Sequence, residues 1–139
     1  MTPYDTPVRS QADLYQLWHT LMGEPGFATP QLWIVLLDAD DRCTPLIQKV
    51  TDLPDVPDPE HLSGLMHVCG SLVDEAVPEG SVAFLRARPG PAGLTTSDRA
   101  WAMGLTAAAQ AAGVPCRPVH LANDHEIRVF APDDAAATA

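Results

Sequence analysis

Two arginines and one aspartate flank a proline- and glycine-rich loop in the segment AFLRARPGPAGLTTSD, residues 83–98. Arg86 and Arg88 stand at the end of an apolar run, and Asp98 follows at the start of a helix-like segment. A guanidinium has no lone pair for a metal ion, but its paired N–H donors suit a carboxylate or a phosphate. The pattern therefore predicts an internal pair with Asp98, an arginine that faces a cleft and binds a small anion, or a solvated pair without a role.

Histidine and cysteine, the usual ligands of transition metals, are too widely spaced here to form a local metal motif. The five histidines include no HxH or HxxxH pair. Cys43, Cys69 and Cys116 form no CxxC and leave one cysteine over, which predicts buried thiols rather than a disulfide framework. His120, within an apolar strand-like segment, is the histidine that we single out as a candidate for lining a site. We expect no bound metal and no cofactor.

Helix and strand signals alternate in the first part of the chain. After Ser10, apolar residues recur at helical spacing and predict an amphipathic helix that buries Leu14, Leu17, Trp18, Leu21 and Met22. The apolar run LWIVLLD, residues 32–38, stops at a turn-like DADDR segment and predicts a buried strand. Its partner strand is predicted in TPLIQKVTD, residues 44–52.

The second half of the chain repeats this alternation. A helix over residues 59–75, capped by Asp58, is predicted to bury Leu62, Leu65, Met66, Cys69, Leu72 and Val73. A strand, SVAFLR, leads to the arginines, and a helix over about residues 98–112 follows, with Thr96 or Ser97 as its cap and Gly113 as its terminator. VPCRPVHLA and EIRVF predict a closing hairpin. The sequence of elements is typical of an α/β sandwich around a mixed β-sheet.

Length and charge limit the class of protein. The 139 residues suit one domain, predicted over residues 10–131 between a flexible N-terminus (1–9) and a disordered tail (132–139). A net charge of −10 with only eight Lys and Arg argues against nucleic acid as a partner. No run approaches eighteen apolar residues and no secretory signal opens the chain. We therefore expect a soluble cytoplasmic protein that binds no membrane.

The arginine segment and the order of elements resemble the RadC-like branch of the JAMM/MPN (JAB domain) metallopeptidase-like superfamily. In that family a strand ends in His-x-His-Pro-Ser-Gly, and Ser-x-x-Asp opens the next helix; the two histidines and the aspartate hold a catalytic zinc. Arg86 and Arg88 stand in place of the histidines, Pro89 is kept, Thr95 takes the serine position and Asp98 the aspartate position. Two of the three zinc ligands are therefore replaced by cations.

The resemblance extends over most of the chain. The family's general-base glutamate lies near the start of the first core strand, where this sequence has Pro30; Glu24 is the nearest acid and lies too far upstream. PVHLAND, with Val119 and His120, resembles the family's Asp-His-Ile-Ile segment. The resemblance implies an α/β fold, a three-layer-like α-β-α sandwich with a mixed sheet of the cytidine-deaminase-like kind.

The replaced ligands imply a non-catalytic domain that acts as a protein-binding or scaffold module, because arginine cannot ligate zinc. Its partner would be another protein or a second copy of the chain. An alternative is a metal-free sensor or enzyme that binds a small anionic ligand at the Arg86/Arg88 loop. A third is a zinc hydrolase with rearranged ligands, such as Asp98, His120 and another histidine.

Overall fold

The computed structural model describes residues 7–22 and 29–131. Within them three helices and five strands follow one another along the chain: α1 (Gln11–Met22), β1 (Gln31–Leu37), β2 (Cys43–Thr51), α2 (Pro59–Ala76), β3 (Ser81–Ala87), α3 (Thr96–Ala112), β4 (His120–Ala122) and β5 (Ile127–Val129). The predicted tail, 132–139, and Glu24 lie outside the described residues. None of the described helices is long and apolar enough to cross a membrane.

The five strands form one mixed sheet in the order β2-β1-β3-β4-β5. β1 lies between β2 and β3 and is antiparallel to both, whereas β3 and β4 are parallel. β5 pairs antiparallel with β4 at the edge. The predicted α/β class with a mixed sheet is therefore confirmed.

Alternating side chains of β3 divide the interior into two apolar clusters. Val82 and Phe84 face α2 and α3, while Ala83 and Leu85 face α1. The helices thus lie in two layers, one on each side of the sheet. Arg86 has the same parity as Phe84, so the strand directs it toward α2 and α3.

The N-terminal segment is packed before α1 begins. Val8, within the segment predicted to be flexible, is buried in the cluster on the α1 side, and its N–H donates to the carbonyl of Asp41 at 2.6 Å. Ser10 caps the start of α1, as the sequence predicts, by accepting from the Asp13 N–H at 3.1 Å. The packed part of the chain therefore begins earlier than residue 10.

The helix α2 matches its prediction at the cap and departs from it on one face. Asp58 accepts from the Glu60 N–H at 2.8 Å, and Pro59 occupies the first turn. Of the six residues predicted in the core, four are buried, whereas Leu65 and Leu72 are only partly buried at its margin. The buried face of α2 is thus narrower than the apolar pattern suggests.

The last two strands are shorter than the predicted hairpin. β4 and β5 have three residues each, and Cys116 contributes only an isolated bridge to Val82. Pro115 and Pro118 interrupt this segment, because proline has no N–H to donate to a neighbouring strand. Asn123 closes the hairpin turn: its side-chain oxygen accepts from the N–H groups of His125 and Glu126.

Candidate functional site

The two arginines and the aspartate of the sequence pattern meet at one end of the sheet. Arg86 lies in β3, Arg88 follows its end, and Asp98 lies in the first turn of α3. The exposed fractions of the three residues are 2%, 7% and 2%. All three ionisable side chains are therefore removed from bulk water, so each needs partners within the protein.

Asp98 is the centre of this cluster. Its carboxylate accepts from Nη1 of Arg86 and, through both oxygens, from Nε of Arg88 at 2.9 and 3.1 Å. The backbone N–H of Thr95 donates to the same carboxylate at 2.9 Å. We call Arg86, Arg88 and Asp98 the Arg–Asp–Arg cluster. The internal pair, one of the three predicted arrangements, is present for both arginines.

The backbone contact at Asp98 also fixes the start of α3. Thr95 is the N-cap: its hydroxyl accepts from the Asp98 N–H at 3.0 Å, while the Asp98 carboxylate accepts from the Thr95 N–H, completing a capping box. The predicted caps, Thr96 and Ser97, are instead the first helical residues, because the box places the cap three positions before the acid, with two residues between them. Gly113 ends α3 with a positive φ of 69°, as predicted.

Arg88 also organises the loop that follows β3. Its Nη1 donates to the carbonyl of Pro89 at 3.1 Å and its Nη2 to that of Gly93 at 3.0 Å. Gly93 has a φ of 101°, which favours glycine, and its N–H donates to Glu126 at 2.9 Å. That backbone hydrogen bond lowers the pKa of Glu126. The loop is thus held from β3 on one side and from the β4–β5 turn on the other.

Arg86 connects the cluster to the segment before α2. Its Nη2 donates to the Ser97 hydroxyl at 2.8 Å, and that hydroxyl donates in turn to the backbone carbonyl of Asp55. Its Nε is buried and has no hydrogen-bond partner among the described residues. Burial lowers the pKa of Arg86, while the charge of Asp98 opposes this shift and raises it. Arg86 is therefore a buried cation with an unsatisfied donor.

A cleft of about 560 Å³ opens beside the cluster. Both arginines contribute to its lining, together with Thr95, Thr96 and Ser97 at the start of α3. Its apolar lining comes from Pro30, Val56, Pro89 and Pro91. The arginines thus pair internally and also border a cavity, and the binding of a small anion there stays a prediction.

His120 does not join this site. It pairs with Leu85 in the parallel β3–β4 register, which places it on the α1 face, opposite the side chain of Arg86. There it is 1% exposed, with Nδ1 3.3 Å from the carbonyl of Pro118. Burial lowers its pKa to about 4, so the ring is neutral at physiological pH. The prediction that His120 lines the site with Asp98 fails because one residue of strand register decides the face.

Sequence reasoning missed two members of the site. The sequence predicts Ser97 only as a possible cap of α3, yet its hydroxyl accepts from Arg86 and donates to the carbonyl of Asp55. The sequence signal for this role is that Ser97 directly precedes Asp98. Asp55 lies 42 residues before Ser97 and contacts it through the backbone, so no residue type in the sequence marks it.

The donor set of the cluster does not fit zinc. Arginine has no lone pair to offer, and both oxygens of Asp98 already accept from cations or from the backbone. Among residues 7–22 and 29–131, no group of three or more His, Cys, Asp or Glu side chains is placed to hold a metal ion. The rearranged ligand set of Asp98 and His120 is also divided between the two faces of the sheet.

Comparison of the chain with protein-family models finds no match, and neither does a search of the curated proteins. The shape and charge of the site therefore carry the functional argument.

Proposed function

We propose that this chain is a non-catalytic, RadC-like JAMM/MPN-type domain that acts as a protein-binding or scaffold module. The observation that carries the proposal is the Arg–Asp–Arg cluster, a buried group of charges at the junction of a strand end, a loop and a helix start. In the family that the sequence resembles, a zinc ion and its three ligands occupy that junction.

The position of Pro30 supports the same relationship. In the proposed alignment Pro30 stands where the family has its general-base glutamate. It lies directly before β1, whose first residue pairs with Ala87, and it lines the cleft with both arginines. Four positions that the resemblance assigns to one active site therefore converge in space, although three of their four side chains differ from those of the family and only the aspartate, Asp98, is kept.

The replacements favour a structural role for the cluster over hydrolysis. A catalytic zinc lowers the pKa of a bound water, and a nearby carboxylate then takes the proton. Here two guanidiniums supply the positive charge that stabilises Asp98, and a proline stands at the position of the base. Since two of the family's zinc ligands and its base are replaced at these positions, we infer that the retained fold serves binding, with another protein or a second copy as partner.

Placing the family's zinc ligands at positions 86 and 88 tests this proposal. We expect the parent protein to purify without stoichiometric zinc and to gain no thermal stability when zinc is added. The double variant Arg86→His/Arg88→His should bind about one zinc per chain, measured by elemental analysis after dialysis, and should melt at a higher temperature with zinc.

The matched control carries two histidines elsewhere. Arg9→His/Arg99→His changes the same residue types outside the cluster and should bind no zinc. One tightly bound zinc per parent chain, or peptide-bond hydrolysis by the zinc-loaded parent, would contradict the proposal. A folded Arg86/Arg88 double variant that binds no zinc would contradict the alignment with the JAMM/MPN site.

A further inference from the structure

The floor of the cleft carries more positive than negative charge. Two guanidiniums face one carboxylate in the Arg–Asp–Arg cluster, and all three groups are buried. Asp55, also in the lining, is exposed, so water screens its charge and it offsets the surplus only in part. A buried surplus of one positive charge is costly unless an anion approaches it.

The two arginines also have more N–H donors than acceptors around them. A guanidinium carries five N–H groups. Within the described part of the chain, each of the three nitrogens of Arg88 donates one N–H group to an acceptor. Nη1 and Nη2 of Arg86 each donate one N–H group, and its Nε has no acceptor. The first N–H groups of a helix have no partner within it, and Thr96 and Ser97 at the start of α3 line the same cleft. Positive charge and free donor capacity therefore coincide.

The rest of the cleft is apolar. Pro30, Val56, Pro89 and Pro91 contribute walls without charged side chains, and their prolines have no N–H to donate. The volume of about 560 Å³ lies within the range of small-molecule sites, which is roughly 300–1,000 Å³. The lining thus combines one cationic, donor-rich end with an apolar remainder.

We infer that this cleft binds a single carboxylate group carried on a short apolar stem. A carboxylate brings one negative charge, which matches the surplus of the cluster, and its planar pair of oxygens suits guanidinium donors. A phosphate dianion would leave an excess negative charge next to Asp98 and Asp55 and would find no partner in the apolar walls. The inference rests on the charges and shape of the cleft and not on the JAMM/MPN assignment.

Titration with two acids and one inorganic anion tests the ligand chemistry. Valerate, acetate and phosphate are added to the ¹⁵N-labelled full chain at constant pH and ionic strength, and amide shifts are followed by NMR. We expect saturable shifts at the amides of Thr95, Thr96 and Ser97, with valerate binding more tightly than acetate and acetate more tightly than phosphate. Shifts that stay linear in concentration for all three, or tightest binding of phosphate, would overturn the inference.

A charge-neutralising pair of variants tests the location. Asp55→Asn removes a negative charge at the cleft without changing the Arg–Asp–Arg cluster, and we expect it to tighten valerate binding about two- to fivefold. Asp40→Asn makes the same change in net charge in the β1–β2 turn, at the opposite end of the sheet, and should leave affinity unchanged. Equal tightening by both would show a general charge effect and would overturn the site. Arg86→Lys keeps the charge but removes the planar pair of donors, and we expect it to weaken valerate binding.

The source of the carboxylate is distinguished by two peptides. A short peptide that ends in valine presents the same group as valerate, and its C-terminally amidated form lacks it. Binding of the free-acid peptide alone assigns a protein C-terminus as the ligand, and binding of valerate alone assigns a small acid. Equal binding of both peptide forms would overturn the role of the carboxylate. Zinc binding by the parent would contradict the proposed function. The outcome of the carboxylate titrations does not depend on that result, so the two proposals are tested separately.

Discussion

Arg88 and Asp98 are joined through one nitrogen and two oxygens: Nε of the arginine lies 2.9 Å from Oδ2 and 3.1 Å from Oδ1 of the aspartate. The side chains of both residues are buried, at 8% and 3% exposure. In such surroundings, removal of Asp98 leaves two buried cations without their anion, and removal of Arg88 leaves the Asp98 carboxylate with Arg86 as its guanidinium partner. The cost of a single substitution therefore exceeds the net contribution of the pair.

A double-mutant cycle measures this coupling. We expect Arg88→Ala alone to destabilise the fold by about 3 kcal/mol. In an Asp98→Ala background the same change should cost less by about 1–3 kcal/mol, because it then removes one of two unpaired cations. Unfolding in urea gives the four free energies. The exposed pair Arg9–Asp41, with a 3.9 Å separation, is the control cycle and should couple by less than about 1 kcal/mol. Additivity in the Arg88–Asp98 cycle would refute the internal pair.

The buried residue Met66 of α2 provides a second prediction. Met66 is fully buried in the cluster between the sheet, α2 and α3. Met66→Ala should therefore lower the free energy of unfolding by about 2–5 kcal/mol through the cavity that it leaves. Val68 on the same helix is 55% exposed, so Val68→Ala should change stability by no more than about 0.5 kcal/mol. Similar losses in both variants would mean that α2 packs through a different face.

The capping box predicts different roles for two adjacent threonines. Thr95→Ala removes the hydroxyl that accepts from the Asp98 N–H, and we expect it to cost about 1 kcal/mol of unfolding free energy. Thr96, the first helical residue, is exposed, and Thr96→Ala should have a smaller effect or a slightly favourable one. Chemical denaturation of the two variants decides between them. A larger loss at Thr96 would restore the cap expected from the sequence alone.

His120 predicts a pH dependence of stability. Its pKa in the folded protein is about 4, below the usual histidine value of 6.5, because burial disfavours the charged ring. Between these values the unfolded chain binds more protons than the folded chain, so stability falls as the pH drops from 6.5 toward 4. The full effect of His120 is on the order of 3 kcal/mol.

The measurement compares unfolding free energies at pH 7 and pH 4.5 in the parent and in His120→Gln. The variant should lose less stability over this interval, since a neutral amide has no proton to gain. His61→Gln, on the exposed surface of α2, is the matched control and should keep the pH dependence due to His120. An identical pH profile in His120→Gln and the parent would show that the buried ring does not resist protonation.

The sequence predicts local elements and local charge pairs better than it predicts the face of the sheet on which a side chain lies. The Arg–Asp pairing could be anticipated because only a turn-rich loop separates Arg88 from Asp98 in the sequence. Opposite charges that are so near each other along the chain favour an ion pair. The face of His120 could not, because a three-residue strand carries no alternation of its own and its register depends on the pairing with β3. The link from Ser97 to the carbonyl of Asp55 was equally hidden, since any residue type can supply a carbonyl.

The Arg–Asp–Arg cluster also bears on the order in which the chain folds. Its ion pairs join residues only 10 and 12 positions apart, so the loop that must close between β3 and α3 is short and its entropic cost is small. By contrast, β4 meets β3 across 35 residues, as the pairing of Leu85 with His120 shows. We therefore expect the β3–loop–α3 segment to assemble early, as a local unit onto which β4 and β5 dock later.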